Sequence, residues 1–205
     1  MKLIYLQKEL KKRGLKIFST REFRLLLGVS EPAAYRLLWR YEKQQFLVKL
    51  RRGLHGLKDD LPSSFLIANR LYQPSYISFD AALSYYHIIP ETIYSVASVT
   101  TKTTREFRAA GIVYKYHRIK KIAYTGYKPI KYLGTVVLMA EPEKALADYL
   151  YFVALKKRVL SYERIDIKRI KRSKLLKYVK LFRRPKMLGL VGKVYADIRK
   201  YQRIY

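Results

Sequence analysis

Apolar and basic positions alternate with a helical period over the first 45 residues. Apolar residues recur every three or four positions from residue 3 to residue 13, which predicts an amphipathic helix ended by Gly14. A second helix is predicted to begin at Ser19, because Glu22 follows it at the spacing of a capping box. Gly28 then suits a tight turn, since glycine adopts left-handed backbone angles without strain.

A third predicted helix covers residues 31–45 and has two distinct faces. One face is apolar at the spacing of a buried stripe, and it comprises Ala34, Leu37, Leu38 and Tyr41. The opposite face carries Arg36, Arg40 and Lys43. Ser30 stands where a side-chain cap would begin this helix. A cationic helix after a helix and a short glycine turn is typical of a helix-turn-helix.

A basic hairpin is predicted directly after this helix. Two short apolar runs, FLVKL and GLHGL, flank Arg51 and Arg52. Gly53 suits the turn, and Gly56 suits a close approach of the backbone within a strand. Helix, helix, turn, helix and basic hairpin thus follow one another within about 55 residues. This order predicts a winged helix-turn-helix DNA-binding domain over residues 1–58.

The pattern changes after a polar break at residues 59–62, which we interpret as a linker. Two short helices are predicted in SSFLIANRLY and SFDAALSYYHII. The period then moves towards two in YSVASVT, IVYKYHRI and LGTVVLM, with Thr100 to Arg108 forming the loop and edge between the first two strands. A helix, EKALADYLYFVAL, follows. The second predicted domain spans residues 63–205.

The last 55 residues, 151–205, are predicted to be helical and strongly basic. Pro185, Gly189 and Gly192 are expected to interrupt the helix, leaving a helical hairpin over the sheet. The predicted fold class is therefore α+β. It joins an amino-terminal winged helix-turn-helix to a mixed α/β domain with a small sheet and a basic helical carboxyl-terminal segment.

The charged residues are numerous and unevenly distributed along the chain. The chain has 44 Lys and Arg against 15 Asp and Glu, a net charge of +29. Residues 1–58 carry 15 basic and 4 acidic side chains, residues 59–150 carry 11 and 8, and residues 151–205 carry 18 and 3. Two basic segments thus flank a nearly neutral middle. This distribution predicts strong, salt-sensitive attraction to a polyanion.

Composition excludes several other classes. There is no cysteine, which removes disulfides and thiolate metal sites. No apolar run approaches the roughly 18 residues of a membrane span, and no signal peptide is evident. We therefore expect a cytoplasmic protein without a membrane partner.

Catalytic patterns are missing from the sequence. The histidines lack metal-ligand spacing and are expected to be structural; they are His55, His87 and His117. The serines of the middle region lack the Gly-x-Ser-x-Gly setting of an activated nucleophile; those considered are Ser84, Ser95 and Ser98. We expect a non-enzymatic protein with no cofactor and no metal.

One enzymatic alternative stays open, namely a metal-dependent nuclease. Glu141 and Glu143 stand beside Lys144 after a predicted strand, and Asp148 follows one turn later. Carboxylates holding a divalent ion next to a cation would suit phosphodiester cleavage. The same residues also fit an ordinary helix start with acids favoured by the helix dipole.

Three stretches resemble the AbiEi-type antitoxins of bacterial and archaeal type IV toxin-antitoxin systems. They are AAYRLLWRYEKQQFLVKLRRGLHGL, FLIANRLYQPSYISFDAALSYYHIIPETIYSVASVTTKTTREF and EPEKALADYLYF. They fall within residues 18–155. The resemblance implies a winged helix that represses its own operon and a second domain that opposes a nucleotidyltransferase-like toxin.

The predicted function is sequence-specific binding of double-stranded promoter DNA, as autorepressor and antitoxin. Arg36 and Arg40 are expected in the major groove, and the hairpin arginines on phosphate or in the minor groove. The full candidate set is Ser30, Tyr35, Arg36, Arg40, Lys43, Lys49, Arg51 and Arg52. A homodimer is plausible because one winged helix reads few base pairs. The alternative is an RNA-binding protein, which the charge and the 20 tyrosines would also suit.

Overall fold

The computed structural model describes residues 3–91, 94–159 and 165–201, with side chains up to residue 196. Its first six elements form an amino-terminal unit of three helices and a three-stranded antiparallel sheet of order β1-β3-β2. These elements are α1 (Leu3–Lys12), β1 (Ile17–Ser19), α2 (Thr20–Leu27), α3 (Glu31–Lys43), β2 (Leu47–Arg51) and β3 (Leu54–Leu57).

Both ends of α2 follow the predicted local chemistry. The Ser19 hydroxyl accepts a hydrogen bond from the backbone N–H of Glu22 at 3.1 Å, and the Glu22 carboxylate accepts one from the Ser19 N–H at 2.6 Å. The predicted capping box is thus confirmed. Gly28 ends the helix with φ +62°, and its N–H donates to the carbonyl of Arg24.

The strand β1 was not predicted, because three residues are too few to show an alternation of period two. It pairs with β3, placing Ile17 opposite Gly56. A Cβ at Gly56 would lie 2.9 Å from the Leu61 side chain and 3.1 Å from the Lys16 carbonyl oxygen. The predicted need for glycine at this close approach is confirmed.

The remaining elements form a second unit around a mixed six-stranded sheet of order β6-β7-β5-β4-β9-β8. They are α4 (Ser64–Leu71), β4 (Ser75–Ile77), α5 (Phe79–Tyr85), β5 (Ser95–Thr100), β6 (Arg105–Ala109), β7 (Ile112–Arg118), β8 (Tyr127–Tyr132), β9 (Thr135–Ala140), α6 (Pro142–Ala154), α7 (Arg172–Leu181) and α8 (Pro185–Tyr201). Helices α4, α5 and α6 pack on the strands, and α7 and α8 pack on α6.

The sheet is larger than the sequence predicted. Strands β5, β7 and β9 lie where the alternating runs placed them, whereas β4 and β8 were missed. Strand β8 is an edge strand containing Pro129, a residue that breaks strand patterns but is tolerated at an edge. Strand β6 occupies part of the segment predicted as loop and edge.

The carboxyl-terminal prediction needs two corrections. Pro185 does not interrupt a helix but begins α8, where its missing N–H would have no helical partner. Gly189 and Gly192 lie inside α8 with open space around them. Helix α7 begins only at Arg172, after a 3₁₀ turn at Ile167–Arg169. Residues 160–164, also predicted helical, lie outside the described residues.

The two units are joined by polar contacts as well as by the chain. Arg70 of α4 approaches Glu22 at 3.5 Å and donates to the carbonyl of Ile17 at 3.4 Å. Asp60, inside the predicted linker, pairs with Lys16 at 3.3 Å. Residues 58–60 form a 3₁₀ turn rather than an extended linker. The amino-terminal unit is therefore held against α4.

His117 lies in the aromatic core of the large unit. Its ring centroid is 5.0 Å from that of Phe79 and 5.1 Å from that of Phe152, and its Nε2 has no hydrogen-bond partner. Burial, with a smaller contribution from the Arg158 charge, lowers its pKa from 6.5 to about 4. The neutral ring is thus the form that the fold accommodates.

We expect acid to destabilise the fold through His117. Because the pKa in the folded state lies below the unfolded value, the unfolded state binds more protons as the pH falls from 6.5 towards 4. Urea unfolding should therefore give a free energy that is about 2 kcal/mol lower at pH 5 than at pH 7.5 from this residue alone. The H117F variant keeps a ring in the core and should lose that part of the pH dependence. An unchanged pH dependence in H117F would contradict this account.

Candidate nucleic-acid interface

Helix α3 buries one face and leaves the other in solvent. Ala34, Leu38 and Tyr41 are buried in the small core of the amino-terminal unit. That core also contains Leu6, Leu10, Phe18, Phe23, Leu47 and Leu57. The outward face is exposed along the helix and carries Tyr35, Arg36, Trp39, Arg40 and Lys43. We call these five residues the α3 outer face.

The amino-terminal end of α3 is fixed by charge and by proline. Pro32 lies in the first turn, and Glu31 pairs with Arg24 of α2 at 3.6 Å. Ser30 is the exposed N-cap residue, but its hydroxyl makes no capping hydrogen bond, so the predicted side-chain cap is wrong. At this exposed position water can satisfy the first backbone donors of the helix instead.

The carboxyl-terminal end of α3 is tied to the hairpin by a buried histidine. His55 of β3 lies 2.9 Å from the Glu42 carboxylate of α3, and its side chain is 5% exposed. Its ring lies flat against Phe18, with centroids 6.2 Å apart. Burial lowers the pKa of His55 despite the opposing effect of Glu42. His55 therefore orients the helix relative to the hairpin.

The hairpin turn places its two arginines at the surface. Arg51 is the last residue of β2, Arg52 lies in the turn, and both are exposed. The Arg51 guanidinium donates to the carbonyl of Arg52 at 3.0 Å, and Gly53 completes the turn with φ +73°. Lys49, also exposed, lies opposite His55 in the strand ladder.

Helix α3 and the hairpin turn border one open cavity of about 330 Å³. Tyr35 of α3 and Gly53 of the turn lie on its walls. Helix α2 and the segment before it contribute Ser19, Thr20, Arg21 and Arg24. The amino-terminal half of α3 and the tip of the hairpin thus face the same side of the molecule. Arg51 also lies within electrostatic reach of Tyr116 on β7, so it sits towards the large unit.

The candidate cations are free of acidic partners. Among the described residues, none of them has a carboxylate within 4.0 Å; the set is Arg36, Arg40, Lys43, Lys49, Arg51 and Arg52. The two acids of α3 contact other residues: Glu31 pairs with Arg24, and Glu42 contacts His55. Unpaired cations side by side create a positive potential that attracts an anionic ligand.

The carboxylates considered for a nuclease are engaged by other side chains. Glu141 accepts a hydrogen bond from the Tyr178 hydroxyl and pairs with Lys174 at 3.0 Å. Glu143 is 5% exposed, pairs with Lys174 at 3.5 Å and accepts the backbone N–H of Lys171 at 3.3 Å. Within the described ranges, no group of three His, Asp or Glu residues could hold a metal ion.

Asp148 and Lys144 form a fully buried ion pair within α6. Asp148 also accepts hydrogen bonds from the Tyr76 hydroxyl at 3.1 Å and the Ser78 hydroxyl at 2.8 Å. The Lys144 ammonium lies 4.7 Å from the centroid of the Phe182 ring. Burial raises the pKa of Asp148 and lowers that of Lys144, while their mutual contact opposes both shifts. Neither charged group reaches solvent. The hydrogen bond from Tyr76 to Asp148 links the pair in α6 to β4.

The other polar residues considered for catalysis are dispersed. His87 is exposed with φ +54°, and the Ser84 hydroxyl donates to the carbonyl of Glu91 at 2.8 Å. Ser95 and Ser98 lie in β5, and Ser98 is fully buried. With His55 in the small core and His117 in the large one, the histidines occupy three separate environments.

Sequence reasoning missed three residues of this surface, Arg21, Arg24 and Trp39. Trp39 is the sole tryptophan of the chain, and its side chain is 63% exposed. It stands between Arg36 and Arg40 on the polar stripe, so a helical projection contained the signal. Arg21 and Arg24 line the cavity only because β1 brings α2 to the hairpin, which the sequence pattern did not show.

No protein-family model matches the chain, and no curated protein sequence matches it significantly. In the part of the chain that the structure describes, every helix is too short or too polar to cross a bilayer.

We expect the buried pair to be essential for stability only as a pair. Replacing Asp148 with leucine leaves the Lys144 charge buried without its partner, which should lower the free energy of unfolding by about 3 to 5 kcal/mol. The double variant K144M/D148L removes both charges and should recover much of that loss. Urea denaturation measures both effects. If the loss of stability in K144M/D148L equals the sum of the losses in K144M and in D148L, the two charges do not interact.

Proposed function

We propose that this chain is a sequence-specific, double-stranded DNA-binding regulator. In this proposal, residues 3–57 act as a winged helix-turn-helix, with α2 and α3 as the two helices and β2 and β3 as the wing. The supporting observation is that α3 and the hairpin that follows it both carry exposed cations, none of which pairs with a carboxylate among the described residues. Tyr35 of α3 and Gly53 of the hairpin turn line one cavity.

Helix α3 is the proposed groove reader. An α-helix fits the major groove of B-form DNA, where arginine can pair with both acceptors of a guanine edge. Arg36 and Arg40 lie one turn apart on the α3 outer face, so both side chains can point into one groove. Arg51 and Arg52 of the hairpin turn and Lys49 on β2 would then contact the phosphates or the minor groove beside it.

The second candidate, RNA binding, receives less support from the surface. Base stacking needs exposed aromatic rings, yet among the described Phe, Tyr and Trp side chains only Trp39 and three tyrosines, Tyr5, Tyr35 and Tyr94, provide them. Most of the others pack in the interior or against each other. The major groove of an RNA duplex is also too deep and narrow for side chains to read. Duplex DNA therefore fits α3 better.

The role as autorepressor and antitoxin rests on the resemblance of residues 18–155 to AbiEi-type antitoxins. In that role the protein would repress its own promoter and counteract a nucleotidyltransferase-like toxin. A toxin gene of that class beside its own gene would support this part of the proposal. Two copies of the chain on an inverted repeat would supply the base-pair coverage that one winged helix lacks.

We expect base contacts by α3 to depend on Arg36. R36A should weaken binding to the preferred duplex by about 1 to 3 kcal/mol and reduce the discrimination against altered sequences. The matched control is K131A on β8, an exposed cation at the edge of the sheet opposite β6, which should change little. Fluorescence anisotropy with preferred and altered duplexes measures both quantities. Discrimination unchanged in R36A would contradict a base-reading role.

We expect phosphate contacts by the hairpin to depend on Arg51. R51A should weaken binding to all duplexes alike, because a phosphate contact carries no base information. The slope of the logarithm of affinity against the logarithm of salt concentration should become shallower by about one unit. Titrations at several salt concentrations provide this slope. A slope identical to that of the unmodified protein would place Arg51 outside the interface.

A further inference from the structure

Trp39 is a large apolar side chain that lies mostly exposed on the α3 outer face. It is 63% exposed, and Tyr35, one helical turn earlier, is 54% exposed. Within the described residues neither ring packs on another aromatic ring, and the contact recorded for Trp39 is the Lys43 ammonium 5.4 Å from its centroid. Burying such a ring would stabilise a complex by its apolar area, which marks the position as a contact point.

The surroundings of Trp39 determine what kind of partner fits. Arg36, Arg40 and Lys43 flank it at positions −3, +1 and +4 of the helix, and none of them has an acidic partner among the described residues. Protein-protein interfaces also contain aromatic rings and arginine, but three unpaired cations around one ring would require acidic residues on a protein partner. An apolar ring among unpaired cations suits a ligand with apolar groups between rows of negative charge. The major groove of DNA has this character, because thymine methyl groups project between the two phosphate backbones.

We propose that Trp39, with Tyr35, contacts thymine methyl groups in the major groove and makes α3 selective for sites that contain thymine. This inference rests on the proposed function and adds a specificity determinant that is independent of charge. Four residues of helix rise about 6 Å, close to two base-pair steps. The two rings should therefore contact thymines about two base pairs apart, next to the guanines read by the arginines.

The probe is a duplex enriched by the full-length protein from a library of random double-stranded DNA. The enriched duplex is then prepared twice, once with thymine and once with deoxyuridine, which lacks only the C5-methyl group. We expect the protein to bind the thymine duplex about fourfold to fifteenfold more tightly, as the loss of one or two buried methyl groups implies. Replacing one thymine at a time with deoxyuridine then shows which position contributes to binding, and this locates the contact.

The variant W39A should lose the part of the preference for thymine that its own contact provides, and Y35A/W39A should bind the thymine and deoxyuridine duplexes equally. The salt dependence of W39A should match that of the unmodified protein, because no charge is removed. The matched control is V136A on β9, an apolar residue that is also 63% exposed, which should keep the full preference for thymine. Because Trp39 is the sole tryptophan, its fluorescence should also change on binding the thymine duplex.

Each outcome separates this inference from the function on which it rests. If no duplex is enriched, the proposed function fails. If a duplex is enriched but thymine and deoxyuridine bind alike, and W39A behaves like the unmodified protein, DNA binding stands and the role of Trp39 is overturned. If W39A instead converts a dimer to a monomer in sedimentation, the face is an interface between two copies, and the inference is equally overturned.

Discussion

The orientation of α3 depends on the buried contact between His55 and Glu42. The helix can present a cationic outer face only because its other face is held in the small core and its end is held to the hairpin. The contact also orients the half-buried Glu42 carboxylate towards β3 and away from the cations of the outer face. At the opposite end, Glu31 pairs with Arg24 of α2, but both side chains are exposed and such a pair contributes little to stability. The buried apolar face and the His55 contact therefore determine how α3 is oriented.

The charge of the chain is used differently in its two basic segments. In the amino-terminal unit, the cations of α3 and the hairpin have no acidic partners among the described residues and remain exposed. In the carboxyl-terminal helices, Lys174 of α7 pairs with both Glu141 and Glu143, so part of the basic charge supports the packing of α7 against α6. The exposed remainder adds to the long-range potential that brings a polyanion to the surface. Net charge therefore explains attraction, whereas recognition depends on the few side chains that α3 and the hairpin hold in place.

The sequence predicted those parts of the fold whose causes are local. The capping box at Ser19, the turn at Gly28 and the two faces of α3 each depend on residues within one or two helical turns, and the structure has all of them. Strands β1 and β4 are three residues long and exist because distant strands pair with them, so no local pattern could reveal them. Pro185 was misread because a proline can either break a helix or begin one. At the candidate site, the outward positions of Arg36, Arg40, Lys43, Lys49, Arg51 and Arg52 are as expected. The exposure of Trp39 follows from its place on the polar stripe of α3, whereas the cavity shared with α2 depends on tertiary packing.

The central claim is that the α3 outer face and the hairpin turn form one surface for duplex DNA. The most direct measurement compares the salt dependence of duplex binding for two proteins that have lost the same charge. One lacks the four arginines of the proposed surface at positions 36, 40, 51 and 52. The other lacks four exposed lysines away from it at positions 128, 131, 156 and 157. The account predicts a slope shallower by up to about four units and a loss of sequence preference in the first protein, with sequence preference retained in the second. Equal affinity, slope and sequence preference in the two proteins would contradict it.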